Sequence, residues 1–220
     1  FDDDHAGMTG YKYRADEDPV LGTGEQRFLT GCWSDRRIGR PETSTIGLTF
    51  TRGGYSRCGL GAAESSGAYT VQRPDHWAFD GTGLAAGREF GGADAIVAYE
   101  CDGCAFEIGP DGTPAPTRVD GAPDGLEILA TAPAHLWAQH EQPTRYTHEP
   151  GELEACAMAV FGDASPEHVA ELGDGHAVLA AYERPGAGTV VNAGVTDWVL
   201  GLGDPVVERI TRNVLDRLSS

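Results

Sequence analysis

Apolar positions in the last third of the chain recur with a helical period. Val206, Ile210, Val214 and Leu218 fall every four residues, and Val207 and Leu215 widen the row. Glu208, Arg209, Arg212, Asp216 and Arg217 lie largely outside it. This predicts an amphipathic helix, with Asp204 as its cap and Pro205 at its first position. Two more helices show the same start and stop signals. "EPGELEACAMAVFG" has Pro150 near its start and Gly162 just past its end, and "SPEHVAELG" has Ser165 as cap, Pro166 next and Gly173 as stop. "HAVLAAYERPGAGTVVNAGV" reads differently. Its two nearly continuous apolar runs flank the turn residues Arg184 to Gly188, which predicts two buried strands.

Upstream the apolar runs are shorter. "IGLTFT", "AYTVQR", "DAIVAYE" and "GLEILATA" each end at Gly, Pro or Asp and predict strands. "GPDGTPAPTRVDGAPDG" is loop material with a Pro-Asp-Gly turn at each end. Residues 1–45 are polar and Arg-rich, and Pro19 and Pro41 break any long element. Helices packed on buried strands define an α/β core, with the middle β segment as an elaboration. The expectation is one domain, 1–220, in three parts. These are an irregular covering segment (1–45), a β-rich part (46–148) and an α/β part (149–220).

Composition narrows the partners. Asp and Glu outnumber Lys and Arg by 34 to 16, a net charge of -18 that repels a phosphate backbone, so nucleic acid is not expected as a partner. No apolar run approaches the ~20 residues that span a bilayer, so no membrane partner is expected. The cysteines at 32, 58, 101, 104 and 156 cannot all pair within the chain. Free thiols in a reducing compartment follow, hence a cytoplasmic location. The chain begins "FDDDHAGMTGYKYR", without an initiator Met, and is expected to lack its native start.

The candidate chemistry centres on "AYECDGC", residues 98–104, with two carboxylates and two thiols in five residues. A redox Cys-x-x-Cys opens a helix, whereas Cys101 and Cys104 sit in a strand context. A zinc site needs a second ligand pair, and no other Cys or His pair has that spacing. Buried or turn cysteines are the expectation. Strand alternation places Glu100 and Asp102 on one face and Cys101 on the other. Two such carboxylates either divide acid and base roles, hold a cation, or anchor turn amides and arginines. Asp197, in "NAGVTDWVLGLGDP", follows a buried strand, where ligands bind in α/β sheets; the alternative is a turn cap, with Trp198 filling the core. "RPDHWAF" groups Asp75, His76 and Trp77, but its spacing names no reaction. No nucleophile elbow, P-loop, dinucleotide fingerprint or His-Glu-x-x-His occurs.

Three stretches together resemble one family: "YECDGCAFEI … DGLEILATAP", "TGCWSDRRIGRPE" and "GTVVNAGVTDWVLGLGDPVVERITRNVLDRL". They are similar to the C-terminal region of the N,N-dimethylformamidase large subunit and its relatives. The resemblance implies a class I glutamine-amidotransferase-like core, of which this chain is the C-terminal part. It also implies a mononuclear iron held by two tyrosines and a glutamate, which hydrolyses a small N-substituted formamide or amide. Such a hard Lewis acid suits oxygen ligands. The matching glutamate is expected at Glu25, ahead of Gly31-Cys32-Trp33, and most tyrosine donors are expected outside this chain. Tyr11 and Tyr13 are the phenols at hand. Glu100, Asp102 and Asp197 are the expected catalytic carboxylates. The implied partners are the N-terminal half of the same protein and a small subunit or second copy. The rival reading is a non-catalytic domain that kept the fold and binds a ligand or partner. Residues 1–220 alone are expected to bind no iron tightly and to hydrolyse no formamide.

Overall fold

The structure is a computed structural model that describes residues 7, 9–12, 14–56, 65–141 and 151–219. Its elements run α1 Thr43–Ile46, β1 Thr49–Tyr55, β2 Tyr69–Val71, β3 Glu89–Phe90, β4 Glu100–Gly103, β5 Phe106–Ile108, β6 Pro114–Pro116 and β7 Glu127–Pro133, then α2 Glu152–Phe161, α3 Pro166–Gly173, β8 His176–Arg184, β9 Gly188–Asn192 and α4 Pro205–Leu218. Five strands make the main sheet in the order β3-β2-β7-β8-β9, and each pair is antiparallel. β1 pairs with β4, and β5 with β6, also antiparallel. The class is therefore mixed helix and strand, with antiparallel pairing among the described strands.

β8 organises the core because both of its faces are apolar. Ala177, Leu179 and Ala181 face a cluster with Tyr69, Leu129, Val207 and Ile210. Val178, Ala180 and Tyr182 face a second cluster with Leu48, Cys104, Leu126 and Ile128. Alternation along a strand produces this division. On β7 a register shift between Ile128 and Ala130 puts both Leu129 and Ala130 on the first face. β7 and β8 pair from Glu127↔Ala181 to Pro133↔His176, so strands from the middle and last parts of the chain share one sheet.

The helix signals act locally, and the helices start where the caps put them, although Gly173, expected as the stop, is the last residue of α3 and Asp174 follows it as the cap. Asp204 accepts from the Val206 and Val207 amides, and Ser165 accepts from the His168 amide. Gly162 closes α2 in the left-handed region at φ 95°. Pro150 lies outside the described residues. On α4, Val207 and Ile210 are buried, while Leu215 and Leu218 are exposed. The last turns of α4 run past the apolar surface that its middle covers. α2 and α3 bury Leu153, Ala157 and Leu172 against Leu136 and Ala138.

Two strand expectations change, and the segment after Ile108 expected to be loop carries strand β6, paired with β5. "DAIVAYE" becomes a short 3₁₀ turn at Gly92–Asp94, then a left-handed Ala95 at φ 49° and a run of bends, with strand only from Glu100. Ile96 and Val97 are fully buried all the same, which explains the strand-like run. In "IGLTFT" the strand starts later, because the α1 turn takes Ile46 and Gly47 ends it at φ 82°.

The small β1–β4 sheet lies against β8. Bare backbone makes part of that contact. A Cβ added at Gly103 would overlap the carbonyl of His176, and one at Gly194 would overlap that of Val178.

Candidate functional site

β4 holds the central carboxylates as alternation predicts. Glu100 is exposed, Cys101 is buried and Asp102 is half-buried. The segment after β9 runs beside this strand. The Asp102 amide donates to the Gly194 carbonyl at 2.8 Å, and the Thr196 amide to the Glu100 carbonyl at 3.2 Å. Asp197 Oδ2 accepts from the Tyr99 amide at 3.0 Å. The structure thus brings Glu100, Asp102 and Asp197 to one place, with Asp197 fixing the backbone that leads into β4. Trp198 donates from Nε1 to Thr211 Oγ1 at 3.0 Å and meets the Phe90 ring at 6.2 Å, which anchors the same segment on α4.

The irregular N-terminal segment supplies another carboxylate, from "IGRPE". Glu42 Oε1 accepts from Ser34 Oγ and Thr49 Oγ1, each at 2.6 Å, and Thr51 Oγ1 lies 3.0 Å from Thr49 Oγ1. Glu42 Oε2 is buried and has no hydrogen-bond partner among the described residues. An orphaned buried carboxylate oxygen is rare and calls for a cation or a proton. Glu42 also acts on Asp102. Burial, then the charges of Glu42 and Glu100, push the Asp102 carboxyl up to about 6.

An aromatic wall adjoins these acids. Tyr55 stacks on Trp137 at 4.4 Å, meets Phe50 edge-on at 5.5 Å and lies 5.7 Å from Tyr99. Its hydroxyl donates to Glu152 Oε1 at 3.1 Å. Burial and the nearby carboxylates of Glu152 and Glu100 drive its ionisation far upward, so it stands as a phenol. Burial raises Glu152 too, against the hydrogen bonds from Tyr55 and from the Trp137 backbone. Trp137 Nε1 is buried without a hydrogen-bond partner among the described residues. Cys32 and Cys156 belong to the same neighbourhood. Burial raises both thiols; next in effect come Lys12, which lowers Cys32, and Glu152, which raises Cys156.

The other expected residues have different settings. Glu25 is exposed and its Oε2 lies 3.2 Å from Arg27 Nε, so it offers no buried donor. Tyr11 is half-buried and its amide donates to Thr30 Oγ1 at 3.0 Å; Tyr13 lies outside the described residues. Cys101 and Cys104 point into different hydrophobic clusters. Burial pushes the Cys104 thiol up to about 12, the mark of an inert structural cysteine. Among the described residues, no three or more His, Cys, Asp or Glu side chains are arranged to hold a metal ion. No helix among them is long and apolar enough to cross a membrane.

Sequence reading missed Glu42, Tyr55 and Glu152. Glu42 lies inside the resemblance-bearing stretch, but its bond from Thr49 and its charge effect on Asp102 are set by the fold. The Tyr55–Glu152 bond spans 97 residues and has no local signature.

Fold and site together define a mixed α and β protein with a partly buried acidic site beside an aromatic wall. The chain belongs to the N,N-dimethylformamidase beta subunit-like, C-terminal family, whose profile matches residues 1–212. A search of curated proteins returned no match.

Proposed function

We propose that this chain is part of an amide hydrolase of the dimethylformamidase type, which cleaves the C–N bond of a small N-substituted formamide or amide. The observation that carries this reading is the orphaned Glu42 Oε2, buried in a family whose namesake acts on dimethylformamide. The glutamine-amidotransferase-like core belongs to the same proposal, with β8, β9 and α4 as its C-terminal part.

The resemblance implies iron, and Glu42 fits such an ion better than Glu25 does. Its second oxygen is orphaned, while Ser34 and Thr49 hold the first. Tyr55 fits less well, because its hydroxyl already donates to Glu152. The remaining donors would come from polypeptide outside residues 1–220, either of the same protein or of a partner subunit. When bound, the ion supplies Lewis acidity toward an amide carbonyl and toward water.

This chain's residues would do the rest. Asp102, raised to about 6, is mostly ionised at neutral pH and basic enough to take a proton from an attacking water. Asp197 positions β4 through the Tyr99 amide. Tyr55, Tyr99 and Trp137 would give the N-alkyl groups an apolar wall.

The test is Glu42→Gln beside Glu25→Gln in the full-length protein. Iron content and amine release from N-substituted formamides should both fall at least tenfold in Glu42→Gln and remain unchanged in Glu25→Gln. Full iron and full turnover in Glu42→Gln would overturn the assignment.

A further inference from the structure

The proposed hydrolase site leaves one polar cleft unexplained. It is a hollow of about 560 Å³ lined by Gln72, Arg73, Asp75, His76, Trp77, Thr113 and Glu127, among others. It lies where the turn after β2 meets the β5–β6 hairpin and the start of β7.

One of its donors is unsatisfied. Arg73 Nε is buried and has no hydrogen-bond partner among the described residues. His76 accepts the Ala78 amide on Nδ1 at 3.2 Å, which leaves its N–H on Nε2 in the neutral ring. Burial lowers the ionisation of His76 and keeps the ring neutral. The Trp77 ring lies 4.9 Å from that imidazole and carries Arg217 over its face at 5.7 Å.

Its acids are open to solvent. Asp75 and Glu127 line the same hollow and are exposed. The charges of Glu127 and Arg73 both reach His76, in opposite senses. Asp111 is close enough to feel the Arg73 charge, but it is held by the Thr113 amide at 3.0 Å. A simple anion drawn to Arg73 would face these carboxylates, and a simple cation drawn to Glu127 would face Arg73. A ligand with both charges matches both walls.

We propose that this cleft binds a small zwitterion of the amino-acid class, its carboxylate on Arg73 and His76 Nε2 and its ammonium on Glu127 and Asp75. Such a site is separate from the acids of β4 and does not depend on the hydrolase reading.

The experiment is titration calorimetry on the full-length protein with glycine, β-alanine and 4-aminobutyrate. Propionate and propylamine are the single-charge controls. At least one zwitterion should bind saturably and at least tenfold more tightly than either control. Glu127→Gln, at an exposed position that leaves the core intact, should weaken it at least tenfold, as should Arg73→Gln. Arg73→Lys keeps the charge and should retain part of the affinity. Amide turnover and iron content should be unchanged in Glu127→Gln. Equal binding of propionate and the zwitterions, no binding by any probe, or unchanged affinity in Glu127→Gln would each overturn the proposal.

Discussion

Asp102→Asn should stabilise the protein, and by an amount that depends on pH. The Asp102 carboxyl is raised from its usual 3.8 to about 6, by burial first and then by Glu42 and Glu100. A tenfold change in proton affinity is worth about 1.4 kcal/mol, so the ionised carboxylate costs the folded state about 3 kcal/mol. The sign follows from where the proton is held. The folded protein keeps it between pH 3.8 and about 6, while the unfolded chain has lost it. Stability from this group therefore falls as pH rises through that window and stays low above it. Asparagine has nearly the same shape and no charge. Its advantage over wild type should be near zero below about pH 4 and grow to about 3 kcal/mol above about pH 7. Urea unfolding of both proteins at half-unit pH intervals measures the difference. A pH-independent difference, or a loss of stability at pH 8, would refute the burial and charge crowding assigned to Asp102. The same substitution should lower amide turnover in the full-length enzyme, as expected where a site is kept at the expense of stability.

Two further expectations concern the scaffold. Ile210→Ala should cost about 2–5 kcal/mol, because the side chain is 1% exposed within the cluster on β8, and an unchanged denaturation midpoint would contradict that packing. Asp204→Ala removes the acceptor for two amides at the start of α4 and should cost about 1 kcal/mol by thermal unfolding, with Asp204→Asn recovering most of it.

The parts of this fold legible in sequence are those fixed by neighbours in the chain. Ser165-Pro166 and Asp204-Pro205 start helices because their cap bonds reach only two or three residues ahead. β8 was legible because a strand buried on both faces is apolar along most of its length, whereas β9, expected to be buried too, is a half-buried edge strand. "DAIVAYE" misleads because Ile96 and Val97 are core residues held by a turn, and composition reports burial rather than backbone shape. Glu100 and Asp102 could be placed on one face by alternation alone. Glu42 could not, since its bonds from Ser34 and Thr49 and its charge effect on Asp102 arise only in the fold. The sheet order was hidden for the same reason, because the β7–β8 pairing joins segments that nothing local connects.

The contact between β4 and β8 has a mechanical consequence. At Gly103 and Gly194 the chains meet backbone to backbone, with no side chain between them to change rotamer. A layer of side chains yields like a soft pad, whereas touching peptide planes do not. The carboxylates of β4 therefore inherit the stiffness of the main sheet. A force applied at Asp102 passes into β8 as a displacement of the strand, along the same span that carries Val178 and Tyr182. An infrared or fluorescent probe on β8 would sense occupancy of the acidic site without touching it.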